Sequence, residues 1–213
     1  MDPITHVLAP ALWTEPVRPP DTRGAAYARW RERAAVVLGA LLPDADGIPG
    51  LLETFGLTKL PLYTEYHRCA THSLVGLCVL SAVGAFLARK WPERWLIPAL
   101  RTKAAGRPIA LPSWGRLFAF VWIGLAWHIV GDAITAWGTL RFFWPFSTMD
   151  FQLRLVNSIE PYLLTITLSA WAVQQFLLMR GARKGAWAVA GVWLAACVLY
   201  ITYRVHFGPP PFV

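Results

Sequence analysis

Runs of apolar residues, separated by short polar and proline-bearing segments, set the frame of this chain. Four stretches approach the roughly 20 apolar residues that carry an α-helix across a bilayer. They cover about 72–88, 117–137, 161–179 and 185–203. Two shorter elements precede them, about 3–14 and about 25–43, the second built on AAVVLGALL. Pro16, Pro19 and Pro20 lie between these two. Proline removes a helical donor and breaks the chain there, which predicts an antiparallel hairpin. The expected fold is therefore all-α: an integral membrane helical bundle with four full transmembrane helices plus an N-terminal helical hairpin. The length favours a single domain over 1–213.

Composition agrees. Hydrophobic residues make up 56% of the chain and charged residues only 15%, against about a quarter charged in a soluble domain. The net charge of +8 would suit nucleic acid or an anionic membrane surface. The basic residues cluster between apolar spans with no nucleic-acid motif among them, so no nucleic-acid partner is expected. Segments 15–34, 89–116 and 180–184 hold most of the 20 Lys and Arg, leaving Lys59, Arg68, Arg141, Arg154 and Arg204 elsewhere. The positive-inside rule makes the first group cytoplasmic and puts both termini, 44–71 and 138–160 outside. In a bacterium this is a multi-pass protein of the inner (cytoplasmic) membrane, with the outer segments in the periplasm. The opening MDPITHVLAPALW lacks a basic n-region and a cleavage site and is expected to be retained. Cys69, Cys78 and Cys197 have neither metal nor redox spacing.

The rare polar residues of the apolar frame gather at its outer side. His6 lies in the first turns of the opening helix, and Asp44 and Asp46 end its hairpin partner at LLPDADG. His67 precedes the third helix, and His72 is expected in that helix's first turn. His128 and Asp132, four apart in AWHIVGDAIT, share one helix face. Glu160 opens the next helix, with Pro161 suited to its first turn. Neutral imidazole and carboxylate are the ligand set for zinc and its neighbours, and ionisable groups inside a span point to function. Each residue alone has an ordinary alternative. His6 suits an interfacial hydrogen bond, Asp44 and Asp46 a turn cap, His128 with Asp132 a structural pair, and Glu160 a helix cap. Arg68 suits either snorkelling to the headgroups or clamping a phosphate. The joint occurrence favours metal. The segment GTLRFFWPFS, 138–147, reads either as a packed loop or as an interfacial lip with Trp137 and Trp144 as anchors.

Taken together, MDPITH, LLPDAD, HRCATHSL, HIVGDAITAWGT and PFS resemble the LexA-regulated, inner-membrane-bound metal-dependent hydrolase family (YdjM-like) over most of positions 1–161. The chain departs from that family's pattern at Pro10, where Gly is usual, and at Glu160-Pro161, where Asp-Pro is usual. The family is in turn distantly similar to zinc-dependent phospholipase C. That resemblance implies His128 and Asp132 as ligands, completed by His6, His67, His72 and one or both of Asp44 and Asp46, in a site for two or three zinc or other divalent ions. It also implies phosphoester hydrolysis.

The mechanism expected on this basis is attack by metal-activated water. Asp44 or Asp46 would orient or deprotonate that water, and Arg68 would steady an anionic substrate. Thr71, Ser73 and Thr135 would hold the ligands by hydrogen bonds. An aromatic lip suits a lipid or lipid-linked phosphoester entering sideways. Two other classes compete: a metal- or proton-coupled transporter, and a non-catalytic scaffold holding a structural metal.

Overall fold

A computed structural model of the chain describes residues 2–15, 23–47, 53, 55–57, 68–90, 111–135, 138–157 and 159–209, with 23–27 described by backbone alone. Six α-helices run through them: α1 (Pro3–Thr14), α2 (Arg23–Leu41), α3 (Leu74–Lys90), α4 (Trp114–Ile134), α5 (Pro161–Met179) and α6 (Arg183–Phe207). A 3-10 turn, Pro43–Gly47, follows α2. Among the described residues there is no strand, only an isolated bridge between Thr135 and Val156.

Each boundary has a local cause. The Asp2 carboxylate accepts from the Thr5 amide at 2.8 Å and from its hydroxyl at 2.8 Å, starting α1 with Pro3 in its first turn. The Ser73 hydroxyl accepts from the Gly76 amide at 3.0 Å and starts α3, and Ser113 does the same for α4. His72 thus lies just before α3, two residues ahead of Leu74, where the helix in which it was expected begins.

Among the described residues three helices, α4, α5 and α6, are long and apolar enough to cross a membrane, where four full spans were expected. The fourth expected span falls on α3, which is described over 17 residues, Leu74–Lys90, up to the last described residue of that segment.

Two cores hold the bundle. Ala35 of α2, Leu77 and Ala85 of α3, and Leu117, Val121 and Leu125 of α4 form one. Ala9 and Leu12 of α1 with Ala190 and Trp193 of α6 form the other, joined by Ile166 and Ala170 of α5. The first is closed by a backbone contact. A Cβ at Gly39 would meet the Val121 carbonyl, and one at Gly124 would meet the Val36 carbonyl. Small residues let α2 and α4 approach this closely.

At the end remote from the histidines, the arginines do more than bias topology. Arg29 donates to the Thr14 and Glu15 carbonyls at 3.0 and 2.8 Å, and Arg31 donates to Ala88 and Arg89 at 2.5 and 2.6 Å. Both therefore cap the open C-terminal carbonyls of neighbouring helices. Arg116 pairs with Glu32 at 2.5 Å, and Arg33 with Glu15. Burial raises the Glu15 carboxyl, with Arg33 and Arg29 pulling the other way.

At the opposite end, segment 138–157 is tied down by backbone. Leu74 N donates to Phe142 O at 2.8 Å, and Leu140 N to the Asp150 carboxylate at 2.9 Å. Leu140 and Phe142 pack on the core, while Phe146 (85% exposed) and Met149 (55% exposed) project outward. The segment is packed at its base, as the loop reading expected, and exposes apolar side chains at its tip. Trp144 lies on the exposed side; Trp137 lies outside the described residues.

Candidate metal centre

Four residues from three parts of the chain meet at that end. Asp44 comes from the turn after α2, His72 from the turn before α3, and His128 and Asp132 from consecutive turns of α4. Each offers a ligand atom, and all four atoms lie within 4.8 Å of one another. His72 Nε2 and His128 Nε2 face each other at 3.1 Å. Asp132 Oδ2 is 3.2 Å from the first and 3.4 Å from the second, and Asp44 Oδ1 is 3.3 Å from His128 Nε2.

The other ring nitrogens fix the tautomers. His128 Nδ1 donates to the Ala40 carbonyl at 2.7 Å, because a carbonyl can only accept. The Thr71 hydroxyl donates its single proton to Asp46 Oδ2, so its oxygen accepts from His72 Nδ1 at 2.9 Å. Both Nε2 atoms are left as lone pairs. Two imidazole lone pairs and two carboxylates then converge, which is repulsive unless a cation or added protons lie among them. A divalent cation fits this donor set. In the protonated alternative, burial raises the Asp44 carboxyl but a charged His128 beside it reverses that, leaving it below its ordinary value. Cation and protons thus compete for the same atoms, and metal affinity is expected to weaken as pH falls.

Around these four, His6 stacks on His128 with ring centroids 3.9 Å apart, and its Nε2 lies 3.3 Å from Asp132 Oδ1. Neither ring nitrogen of this buried side chain has a hydrogen-bond partner among the described residues. His6 is therefore core-facing, contrary to the interfacial alternative. Arg68, 3% exposed, binds Asp132 Oδ1 through its guanidinium at 2.8 Å, which excludes snorkelling. Its φ of 63° is uncommon for a residue with a side chain. That turn aims its amide at Asp46 Oδ2, 3.2 Å away.

Several expected roles shift. Asp46 serves Thr71 and Arg68, with its carboxylate 3.7 Å from His72 Nδ1; it holds a ligand from behind rather than facing the cluster. Ser73 caps α3 and donates to Ala70 O. Thr135 donates to the Asp132 backbone carbonyl at 2.9 Å, closing α4 rather than bonding the Asp132 carboxylate. Glu160 accepts from the Tyr200 hydroxyl at 2.6 Å and lies 3.7 Å from Arg204, outside the four-residue group. It makes no side-chain cap bond to α5 either. The two α6 partners draw it away from the ligands. His67 lies outside the described residues. His206 bonds its own helix at Thr202 O.

The Ala40 carbonyl was not legible in the sequence, since any residue there supplies a carbonyl. Thr71 was, and it gives a test. Thr71→Val leaves His72 Nδ1 without its acceptor, and metal affinity should fall about 10- to 100-fold, read by chelator competition. Unchanged affinity would exclude the Asp46–Thr71–His72 relay.

A family model described as YdjM inner membrane protein matches residues 1–207. No curated protein matches the chain, and no solved structure does.

Proposed function

The chain belongs to the YdjM inner membrane protein family, and from that premise we propose that it is a metal-dependent hydrolase cleaving a phosphoester of a lipid or lipid-linked substrate at the periplasmic face. The observation that carries the reading is the convergence of Asp44, His72, His128 and Asp132, with one ligand atom from each within 4.8 Å of the others. A cation held there, zinc or another divalent metal, would supply Lewis-acid polarisation and lower the pKa of a water.

The rest is the work of the chain's own groups. The Asp44 side chain is 37% exposed, against 0% for both histidines and 1% for Asp132. Water and substrate thus reach the cluster from the Asp44 side, and Asp44, rather than Asp46, orients the water and accepts its proton. Arg68 holds Asp132 in place. Phe146 and Met149, projecting from the segment beside the site, suit insertion at headgroup depth. Four ligand atoms suit one ion; a second would draw on His6, whose Nε2 lies 3.3 Å from Asp132 Oδ1.

Four protein donors is also the count of a closed structural site, so the scaffold reading has an observation in its favour. Full-length protein purified without chelator and placed in phosphatidylglycerol vesicles separates the two by elemental analysis and phosphate release. Bound metal with turnover of the lipid or of a short-chain phosphodiester is the expected result. Metal without turnover of either would support the scaffold, and metal-free protein would sink both.

Orientation is tested in a cysteine-free background. Phe55 and Leu111 are exposed and belong to segments assigned to opposite faces. An impermeant thiol reagent should label Phe55→Cys and spare Leu111→Cys in spheroplasts. The reverse pattern would invert the assignment.

A further inference from the structure

Beside the metal centre, on the far faces of α1 and α4, lies a cavity of about 210 Å³ enclosed by α1, α4, α5 and α6. Ala9, Trp127, Leu163 and Cys197 are among its walls. Two hydroxyls border it, and both are committed elsewhere. Thr5 donates to Asp2 Oδ2, while Thr167 donates to the Leu163 carbonyl and accepts from Trp193 Nε1. The wall is thus apolar throughout. Its mouth is bordered by Val130, Leu194 and Val198, which are all exposed on the outer surface of the bundle. In a membrane that surface meets lipid rather than water.

The cavity is also joined to the candidate site through the chain. Thr5 precedes His6, Trp127 precedes His128, and Gly131 precedes Asp132; the first residue of each pair borders the cavity and the second belongs to the cluster or touches it. The same helical turns therefore present an apolar wall on one side and metal ligands on the other. An apolar cavity of roughly 150 Å³ accepts a benzene-sized guest and stays dry, so this one has room for several methylenes.

We infer that this cavity receives one hydrocarbon chain of the lipid substrate, entering between Val130 and Val198 while the phosphoester end reaches the Asp44 side of the cluster. The inference rests on the hydrolase reading for the headgroup, and on the cavity alone for the chain. It sets the substrate class as a membrane lipid phosphoester, with the hydrocarbon chain as a recognition element.

The test uses the full chain in phosphatidylcholine vesicles containing phosphatidylglycerol with a diazirine on one acyl chain. Photolysis should label the inner wall, at Ala9 and Trp127, as well as the outward-facing Val192 and Leu199. Cys197→Phe, which fills the cavity from α6, should lose the inner-wall label and keep the outer one, whereas Cys197→Ala should keep both. Wild-type protein labelled only at outward-facing positions would overturn the inference, whatever the filled variant does. Equal inner-wall label in wild type and a folded Cys197→Phe would overturn it as well. Labelling is independent of turnover. Inner-wall label without hydrolysis therefore upholds the inference while counting against the hydrolase; hydrolysis of a short-chain phosphodiester without inner-wall label does the reverse.

Discussion

Asp132→Ala should abolish metal retention and destabilise the fold together, the largest effect expected of any single side chain here. One carboxylate serves four partners: Oδ2 faces His72 and His128, and Oδ1 faces His6 and Arg68. Removing it deletes a ligand and takes from the buried Arg68 guanidinium the carboxylate 2.8 Å away. Breaking a buried pair in this one-sided way costs about 3–5 kcal/mol. The double variant Arg68→Met with Asp132→Ala separates the two effects. It should recover much of the lost stability, because no buried charge is stranded, and still hold no metal. Thermal unfolding in detergent with elemental analysis reads both quantities. Wild-type metal content in Asp132→Ala would remove this residue from the ligand set.

Gly124→Leu should lose metal binding although residue 124 touches no ligand. The new Cβ meets the Val36 carbonyl and comes within 2.8 Å of Ala40 N. Neither atom can rotate away, so α2 must move off α4 as a body. Overpacking costs about 1–3 kcal/mol, and more where, as here, the clash is with backbone. The displacement carries the Ala40 carbonyl away from His128 Nδ1 and Asp44 away from His128 Nε2, so the effect is larger on metal than on helix content. Gly191→Leu on α6 is the control, because a Cβ there meets nothing within 4 Å. Full metal content in Gly124→Leu would mean that the crossing of α2 and α4 does not position the site.

How far the site was legible differs from residue to residue. His128 and Asp132 could be paired from sequence because helical periodicity is local: four residues apart is one turn, whatever else the chain does. Asp44 and His72 were legible as chemistry out of place, polar groups where an apolar span ends or begins. Glu160 carried the same signal and was drawn to Tyr200 and Arg204 instead. Its position at the start of a helix was read correctly, but which neighbours that end has depends on how α5 and α6 pack. Arg68 shows the same limit. Its side chain is long enough to reach headgroup, phosphate or carboxylate, and only the turn at φ 63° directs it to Asp132.

Apolar run length, proline position and charge between the runs determined by themselves that this chain is helical and membrane-bound and roughly where each helix begins. Those are one-dimensional properties, set by the period of a helix and the thickness of a bilayer. The tertiary structure decided which His and Asp atoms share a few ångströms and which tautomers His72 and His128 adopt. It also decided that an apolar cavity backs onto them. These depend on contacts between residues such as Gly39 and Val121 or Thr71 and Asp46, far apart in the chain, and their distances follow from how helices cross rather than from the spacing of residues along any one of them.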